Sequence, residues 1–240
     1  MDTASLRLRR KIELVSGPFA GACTAVFCSP RLAELWPEYA MRTHAIIRAT
    51  VPLMEEGERH ARAKPDDPVA AGVASFLASH IEKERGHDEW ILEDLELVGI
   101  ERSSVLARVP SSTVARLVGA QYYRARHCHP VALLGYAAVM EGSPPSRALI
   151  DRLVEGSGYP RAAFRAFAEH GELDLHHRDD VYRAIDGLPL APEHEILMGV
   201  SAMETVELIT RSLEEILDRV PPPPIGLTGG HVSPVRAGSG

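Results

Sequence analysis

Apolar positions along the chain recur with a helical period almost everywhere. They return every three or four residues, which is the spacing that lines one face of a helix. The apolar run over residues 131–140 is rich in alanine, which favours a buried helix over a buried strand, and no alternating strand pattern of useful length occurs. The pattern therefore predicts an all-α fold. The main predicted helices cover about residues 32–58, 69–98, 112–126, 131–140, 161–185 and 193–220.

This pattern stops near the C-terminal end. Four prolines at residues 221–224 begin a stretch rich in Pro, Gly and Ser that runs to Gly240 and contains almost no core-forming residues. We therefore predict one helical domain over residues 1–220 and a flexible tail over residues 221–240.

The composition narrows the classes of partner and compartment. The formal net charge of −7 disfavours a nucleic-acid binder, and no apolar run is long enough to span a membrane. The three cysteines, Cys23, Cys28 and Cys128, are too few for a disulfide framework, so we expect a cytoplasmic protein. The 11 histidines are the unusual feature, because histidine is the commonest nitrogen ligand for metals.

A first candidate cluster lies in the predicted helix over residues 69–98. Glu84 and His87 are three positions apart and His80 lies four before Glu84, so one helix face would carry all three. A Glu-x-x-His pair is how helical bundles present a carboxylate and an imidazole to one metal. Taken alone, these residues equally fit a solvated charged face.

A second cluster lies in the predicted helix over residues 161–185. His170, Asp174 and His177 follow at i, i+4 and i+7, which aligns them on one face. Nitrogen and hard oxygen donors without a thiolate favour iron or manganese, while residue type leaves zinc open. The alternative is a polar helix on which the histidines share one face by chance and bind no metal.

Glu141 ends the apolar run and completes the set. A carboxylate at the end of a buried helix needs a partner, because an unpaired buried charge is costly. Three carboxylates and three imidazoles suit two divalent metals with open positions, or one metal plus acid–base groups. The candidate ligands and catalytic residues are Glu84, His87, Glu141, His170, Asp174 and His177.

At this point the chain resembles the haem-oxygenase-like di-iron oxidases and oxygenases, also described as iron-containing redox enzymes. The resemblance covers about residues 40–220, and its motifs follow in the family's order. The first motif runs from His80 to Trp90 and is followed by Gly99. The second combines His129-Pro130, Leu134-Gly135-Tyr136 and Glu141-Gly142. The third is the element His170, Asp174 and His177, and the fourth is Met203-Glu204 in the last helix.

The resemblance implies a haem-oxygenase-like bundle of about seven helices without haem. It implies two Fe(II) ions per chain, with dioxygen as co-substrate, that oxidise or cleave a small amino-acid- or fatty-acid-derived substrate, often in natural-product biosynthesis. Glu84 and His87 match its first ligand pair, Glu141 its bridging or capping carboxylate, and residues 170, 174 and 177 its third-helix ligands. Lys83 departs from the family pattern, since many relatives have an acidic residue there. Glu82 is therefore a reserve ligand. His80 is expected to support the ligand residues rather than to bind the metal itself.

Three other interpretations stay open. The same fold has metal-free members, namely pyrroloquinoline quinone synthase and thiaminase II, the latter with a Cys nucleophile for which Cys128 is the one candidate beside a motif. A non-enzymatic helical binding protein would carry these residues as a polar face.

For the enzyme we expect a small-molecule substrate in an apolar pocket, with a homodimer and an electron donor as further partners. The expected pocket residues are Tyr122, Tyr123, Tyr136 and Phe167.

Overall fold

The computed structural model describes residues 2–219, apart from the side chains of residues 174 and 175. Within this range the chain forms α-helices and one 3₁₀ turn, Arg161–Phe164, and no strand, which confirms the predicted all-α class. The predicted tail over residues 221–240 lies outside the described residues. The helices are α1 Ala4–Phe27, α2 Leu32–Ile47, α3 Thr50–Arg62, α4 Pro68–Glu84, α5 His87–Leu97, α6 Arg102–Ala107, α7 Ser112–His127, α8 Ala132–Met140, α9 Arg147–Ser157, α10 Arg165–Gly187 and α11 Pro192–Arg219.

Two predicted helices are each divided in the structure, which raises the helix count of the described residues above about seven. The segment over 32–58 breaks at Arg48 and Ala49, and Pro52 then falls in the first turn of α3, where its missing N–H is tolerated. The segment over 69–98 breaks at Arg85 and Gly86. Gly86 has φ of +84°, a left-handed conformation that glycine adopts without steric penalty.

Side-chain caps fix several helix starts at the predicted places. Asp67 caps α4, because its Oδ1 accepts hydrogen bonds from the backbone N–H of Val69 at 2.9 Å and of Ala70 at 3.1 Å. Pro68 follows at the first helical position, which suits its fixed φ. Ser111 caps α7 in the same way through the N–H of Val114.

The longest helix, α11, packs against α1, α2, α7 and α8, so these four helices are arranged around it. The buried apolar side chains fall into two groups, one around α3, α4, α7 and α8 and the other around α2, α5 and α9. Helix α10 contacts both α5 and α8. Gly171 lets α10 approach the loop before α9, since a Cβ there would overlap the carbonyl oxygen of Pro145. Helix α10 therefore packs against elements of both apolar groups.

Among residues 2–219, no helix combines the length and the apolar character that a bilayer crossing requires.

Candidate metal centre

Six histidines and carboxylates converge inside the bundle from four elements. They form two trios whose potential ligand atoms lie within 4.8 Å of one another: Glu84, His87 and His170, and His80, Glu141 and His177. Helix α4 supplies His80 and Glu84 from its last turns, α5 begins with His87, Glu141 caps the C-terminal end of α8, and α10 supplies the rest. We call these six residues the central cluster.

Glu84 belongs to the first trio and also lies close to two histidines of the second. Its Oε2 is 3.3 Å from Nδ1 of His87, and its Oε1 is 3.3 Å from Nδ1 of His177 and 4.0 Å from Nε2 of His80. Burial raises the pKa of Glu84, but His177, His87 and His80 outweigh it and hold that pKa well below its usual range. Glu84 is therefore ionised at neutral pH and faces both trios at once.

The turn at Gly86, rather than a continuous helix, brings Glu84 and His87 together. The sequence pattern placed them on one face of one helix, but α4 ends at Glu84 and α5 starts at His87. The left-handed glycine reverses the backbone locally so that both side chains still point inward, with exposed side-chain fractions of 10% and 4%. The one-helix prediction was wrong for this pair, although the two residues do meet.

His80 belongs to the central cluster itself. Its Nε2 is 2.7 Å from Oε1 of Glu141, a hydrogen bond between α4 and the end of α8. Burial lowers the pKa of His80, but Glu141 and then Glu84 outweigh this effect and raise it. The sequence analysis placed His80 behind the ligands, whereas the structure puts it in a trio. The reserve ligand Glu82 points to solvent, with its side chain 72% exposed beside Arg85.

The ring of His170 is held in a tautomer suited to metal binding. Its Nδ1 lies 2.7 Å from the carbonyl oxygen of Ala166, and because a carbonyl only accepts, Nδ1 carries the proton. Nε2 then presents a lone pair to Glu84 and His87. A ligand histidine that donates its second N–H to a backbone carbonyl is the usual arrangement at metal sites. Burial lowers the pKa of His170, which keeps the ring neutral.

Three further histidine or carboxylate positions lie outside the central cluster as the structure describes it. Asp174 lies in α10, but its side chain is outside the described part of the structure. His176, next to His177 in α10, is exposed. His44 of α2 is buried beside Arg48 and Arg108, apart from both trios.

Buried polar atoms of the central cluster lack a hydrogen-bond partner, among them Nδ1 of His80 and Oε2 of Glu141. Such atoms cost stability when nothing compensates them. Divalent metal ions would accept these lone pairs, and the mixture of imidazole and carboxylate without thiolate fits iron. The central cluster therefore passes a chemical test for a metal centre.

Two cavities lie next to the central cluster. The larger, of about 420 Å³, is apolar and aromatic and includes Phe27, Tyr39 and Phe167 in its wall. The smaller, of about 90 Å³, is lined by His80, Glu84, Glu141 and His170 with apolar residues around them. Of the residues expected in a substrate pocket, Phe167 lies in the wall of the larger cavity. Tyr136 lines the smaller cavity, while Tyr122 and Tyr123 lie in neither wall.

A second grouping of potential ligands lies elsewhere and was missed by the sequence analysis. Asp67, His129 and His194 come from the start of α4, the turn before α8 and the start of α11, and their ligand atoms also lie within 4.8 Å of one another. Nε2 of His129 is 2.9 Å from Oδ2 of Asp67. Nδ1 of His129 accepts the N–H of Val131 at 3.0 Å, and Nδ1 of His194 accepts that of Ala191 at 3.2 Å. We call these three residues the capping cluster.

Comparison with known proteins supports the family that the motifs predicted. A family model described as iron-containing redox enzyme matches residues 56–208, a range that includes every residue of the central cluster and Asp174. Comparison with curated proteins gave no match.

Solved structures share the fold. A domain of unknown function with a haem-oxygenase-like fold from Shewanella denitrificans is 18% identical, with a TM-score of 0.73 over 89% of this chain and 91% of that one. A TenA homologue from Pseudomonas syringae is 10% identical, with a TM-score of 0.65 over 85% and 91%. A CADD-like protein of unknown function from Nostoc punctiforme is 18% identical, with a TM-score of 0.63 over 88% and 96%. At these identities the likeness establishes the haem-oxygenase-like fold.

Proposed function

Because this chain belongs to the iron-containing redox enzymes, we propose that it is a non-haem di-iron enzyme that uses dioxygen to oxidise or cleave a small apolar substrate. The observation that carries the proposal is the place of Glu84, an ionised buried carboxylate of one trio that also lies 3.3 Å from His177 and 4.0 Å from His80 of the other. One ion would bind Glu84, His87 and His170, and the other Glu84 with His80, Glu141 and His177. Asp174 is proposed as a further ligand on its sequence spacing.

The iron pair would supply the reduction of dioxygen, which no amino-acid side chain performs. The chain's own contribution is to hold the ligands and exclude water. Leu53, Leu77 and Leu133 wall the smaller cavity and keep the ligand atoms in an apolar environment. An external electron donor is required wherever the substrate provides fewer electrons than dioxygen accepts.

Tyr136 supplies a neutral hydroxyl to the smaller cavity. Burial, and then the charges of Glu84 and Glu141, raise its pKa above the ordinary value for tyrosine. The hydroxyl therefore keeps its proton at physiological pH and can donate a hydrogen bond to an oxygen atom in the cavity. Its place beside Glu84 and Glu141 suits it to hold a polar group of the substrate or of dioxygen.

A hydrolase with a cysteine nucleophile is a weaker alternative. Cys23 lines the larger cavity, but burial raises its pKa to about 11, so its thiol stays protonated and poorly nucleophilic. Cys28 and Cys128 are exposed, and neither belongs to the central cluster. A purely structural polar face also fits poorly, because the six side chains converge within the bundle.

Anaerobic titration with ferrous iron, followed by mixing with dioxygen, tests the proposal. We expect two ions to bind each chain, and dioxygen uptake to depend on iron. Glu84→Gln should abolish both while leaving helicity intact, and Asp67→Asn in the capping cluster is the matched control that should change neither. Binding below one ion per chain would overturn the proposal, and an oxidase activity that survives chelation would favour the metal-free branch of the fold.

A further inference from the structure

The two cavities beside the central cluster are neighbours with part of their walls in common, and we call this shared part the partition. They share three lining residues, Ile47, Met140 and His170. Ile47 is the last residue of α2 and Met140 the last of α8, so each stands where its helix ends. Met140 directly precedes Glu141. The partition therefore lies directly beside residues of the central cluster.

The larger cavity reaches the ligands at one point. Among its described lining residues, His170 is the member of the central cluster, whereas the smaller cavity touches His80, Glu84, Glu141 and His170. The rim of the larger cavity includes exposed Cys28 and Arg152, whose Nη1 donates to Cys28 Sγ at 3.0 Å. A molecule entering from this rim must pass the partition to meet most of the ligands.

We infer that Ile47 and Met140 select substrates by the width of the end that passes between them. The inference rests on the proposed function and specifies its substrate as an elongated molecule with an unbranched apolar end. The smaller cavity, at about 90 Å³, holds only a short segment, and Phe76, Leu77 and Leu133 make its far wall apolar. Oxidation would then occur near that inserted end.

The chemistry of the two partition residues fits this task. Met140 has an unbranched, flexible thioether that can move aside for a slender chain. Ile47 is branched at Cβ and stiff at χ1, so it forms a fixed edge. One movable side and one fixed side admit a linear alkyl end and stop a branched one.

Two tyrosines report separately on the two sides of the partition. Tyr39 lines the larger cavity and not the smaller, and its ring stacks with Trp36 at 5.5 Å between centroids. Tyr136 lines the smaller cavity and not the larger. Fluorotyrosine labelling with fluorine NMR therefore distinguishes a ligand in the larger cavity from one that reaches the smaller cavity.

The experiment titrates metal-free full-length protein with octanol and with its isomer dimethylhexanol, which ends in a tert-butyl group. In the native chain octanol should shift the signals of both Tyr39 and Tyr136, and dimethylhexanol that of Tyr39 alone. Met140→Ala should let dimethylhexanol shift Tyr136 as well and bind about tenfold more tightly. Met140→Leu, which conserves volume, is the matched control and should keep the discrimination.

Two results would overturn the inference: a shift of Tyr136 by dimethylhexanol in the native chain, or no shift of Tyr136 by dimethylhexanol in either Met140→Ala or the independent variant Ile47→Ala. Because binding is read without iron or turnover, this outcome is distinct from failure of the proposed function, which would appear as absent iron binding.

Discussion

The central cluster and the capping cluster have the same ingredients and different chemistry. Each brings histidine and carboxylate atoms within 4.8 Å. In the central cluster, His170 donates its Nδ1 proton to the carbonyl of Ala166 and keeps a lone pair on Nε2. In the capping cluster, Nδ1 of His129 and of His194 each accepts a backbone N–H, so the neutral ring carries its proton on Nε2, where a metal would bind.

This difference shows that ligand type and distance do not define a metal site. The second nitrogen of each histidine decides whether a lone pair remains for an ion. The carboxylate of Asp67 is likewise already engaged in hydrogen bonds, since its Oδ1 caps the N-terminus of α4. We therefore assign the capping cluster to holding three chain segments together, and the predictions below contrast it with the central cluster.

The largest expected effect is on iron affinity. His170→Ala should weaken binding of one iron ion by about 100-fold or more, because a direct ligand is lost and even supporting residues contribute 10- to 100-fold at metal sites. His194→Ala should leave iron affinity unchanged. Anaerobic iron titration of both variants measures this contrast, and equal losses in the two would remove the distinction between the clusters.

Iron should also stabilise the fold through the central cluster alone. At a free iron concentration about 100-fold above Kd, binding to the native state adds about 2.7 kcal/mol to the free energy of unfolding. Thermal unfolding with and without ferrous iron should show this gain in the native chain and in Asp67→Asn. Glu84→Gln should show none, and a retained gain would place the ion elsewhere.

Loss of a capping contact should lower stability without affecting iron. Asp67→Ala removes the N-cap of α4 and the partner of His129, and N-cap losses cost about 1 kcal/mol. Chemical denaturation measures the change, with Asp66→Ala, an exposed neighbour, as the control. An unchanged unfolding midpoint would show that the cap is dispensable.

The smallest expected effect is a pH dependence from His129. Its pKa is lowered in the fold, chiefly by burial and against the pull of Asp67, so the unfolded chain binds protons first as the pH falls below about 6.5. The free energy of unfolding therefore decreases with falling pH in that range. His129→Gln should make this slope shallower, whereas His127→Gln, at an exposed histidine, should leave it unchanged. Parallel slopes in the two variants would contradict it.

Local spacing predicted much of this molecule. The helical period gave the all-α class, and the positions of His170 and His177 on one helix follow from residues close in sequence. The break at Gly86 escaped because the periodic pattern continues across it, although a glycine between two charged turns is a signal for such a break.

What depends on distant segments could not be read from spacing. His80 meets Glu141 across 61 positions, and His129 meets Asp67 across 62, so no local pattern pairs them. The partition residues Ile47 and Met140 escaped for another reason. An apolar side chain at a cavity wall looks the same in sequence as one packed in the core.

The position of Glu84 has a thermodynamic consequence. Under the proposed function Glu84 would be shared by two ions, and their binding free energies would be interdependent, because the first ion would fix the side chain that the second also needs. Loading would then be cooperative when this ordering outweighs the repulsion between the cations, and anticooperative when the repulsion dominates. The shape of an iron titration, and not its end point alone, would reveal which of the two governs the protein.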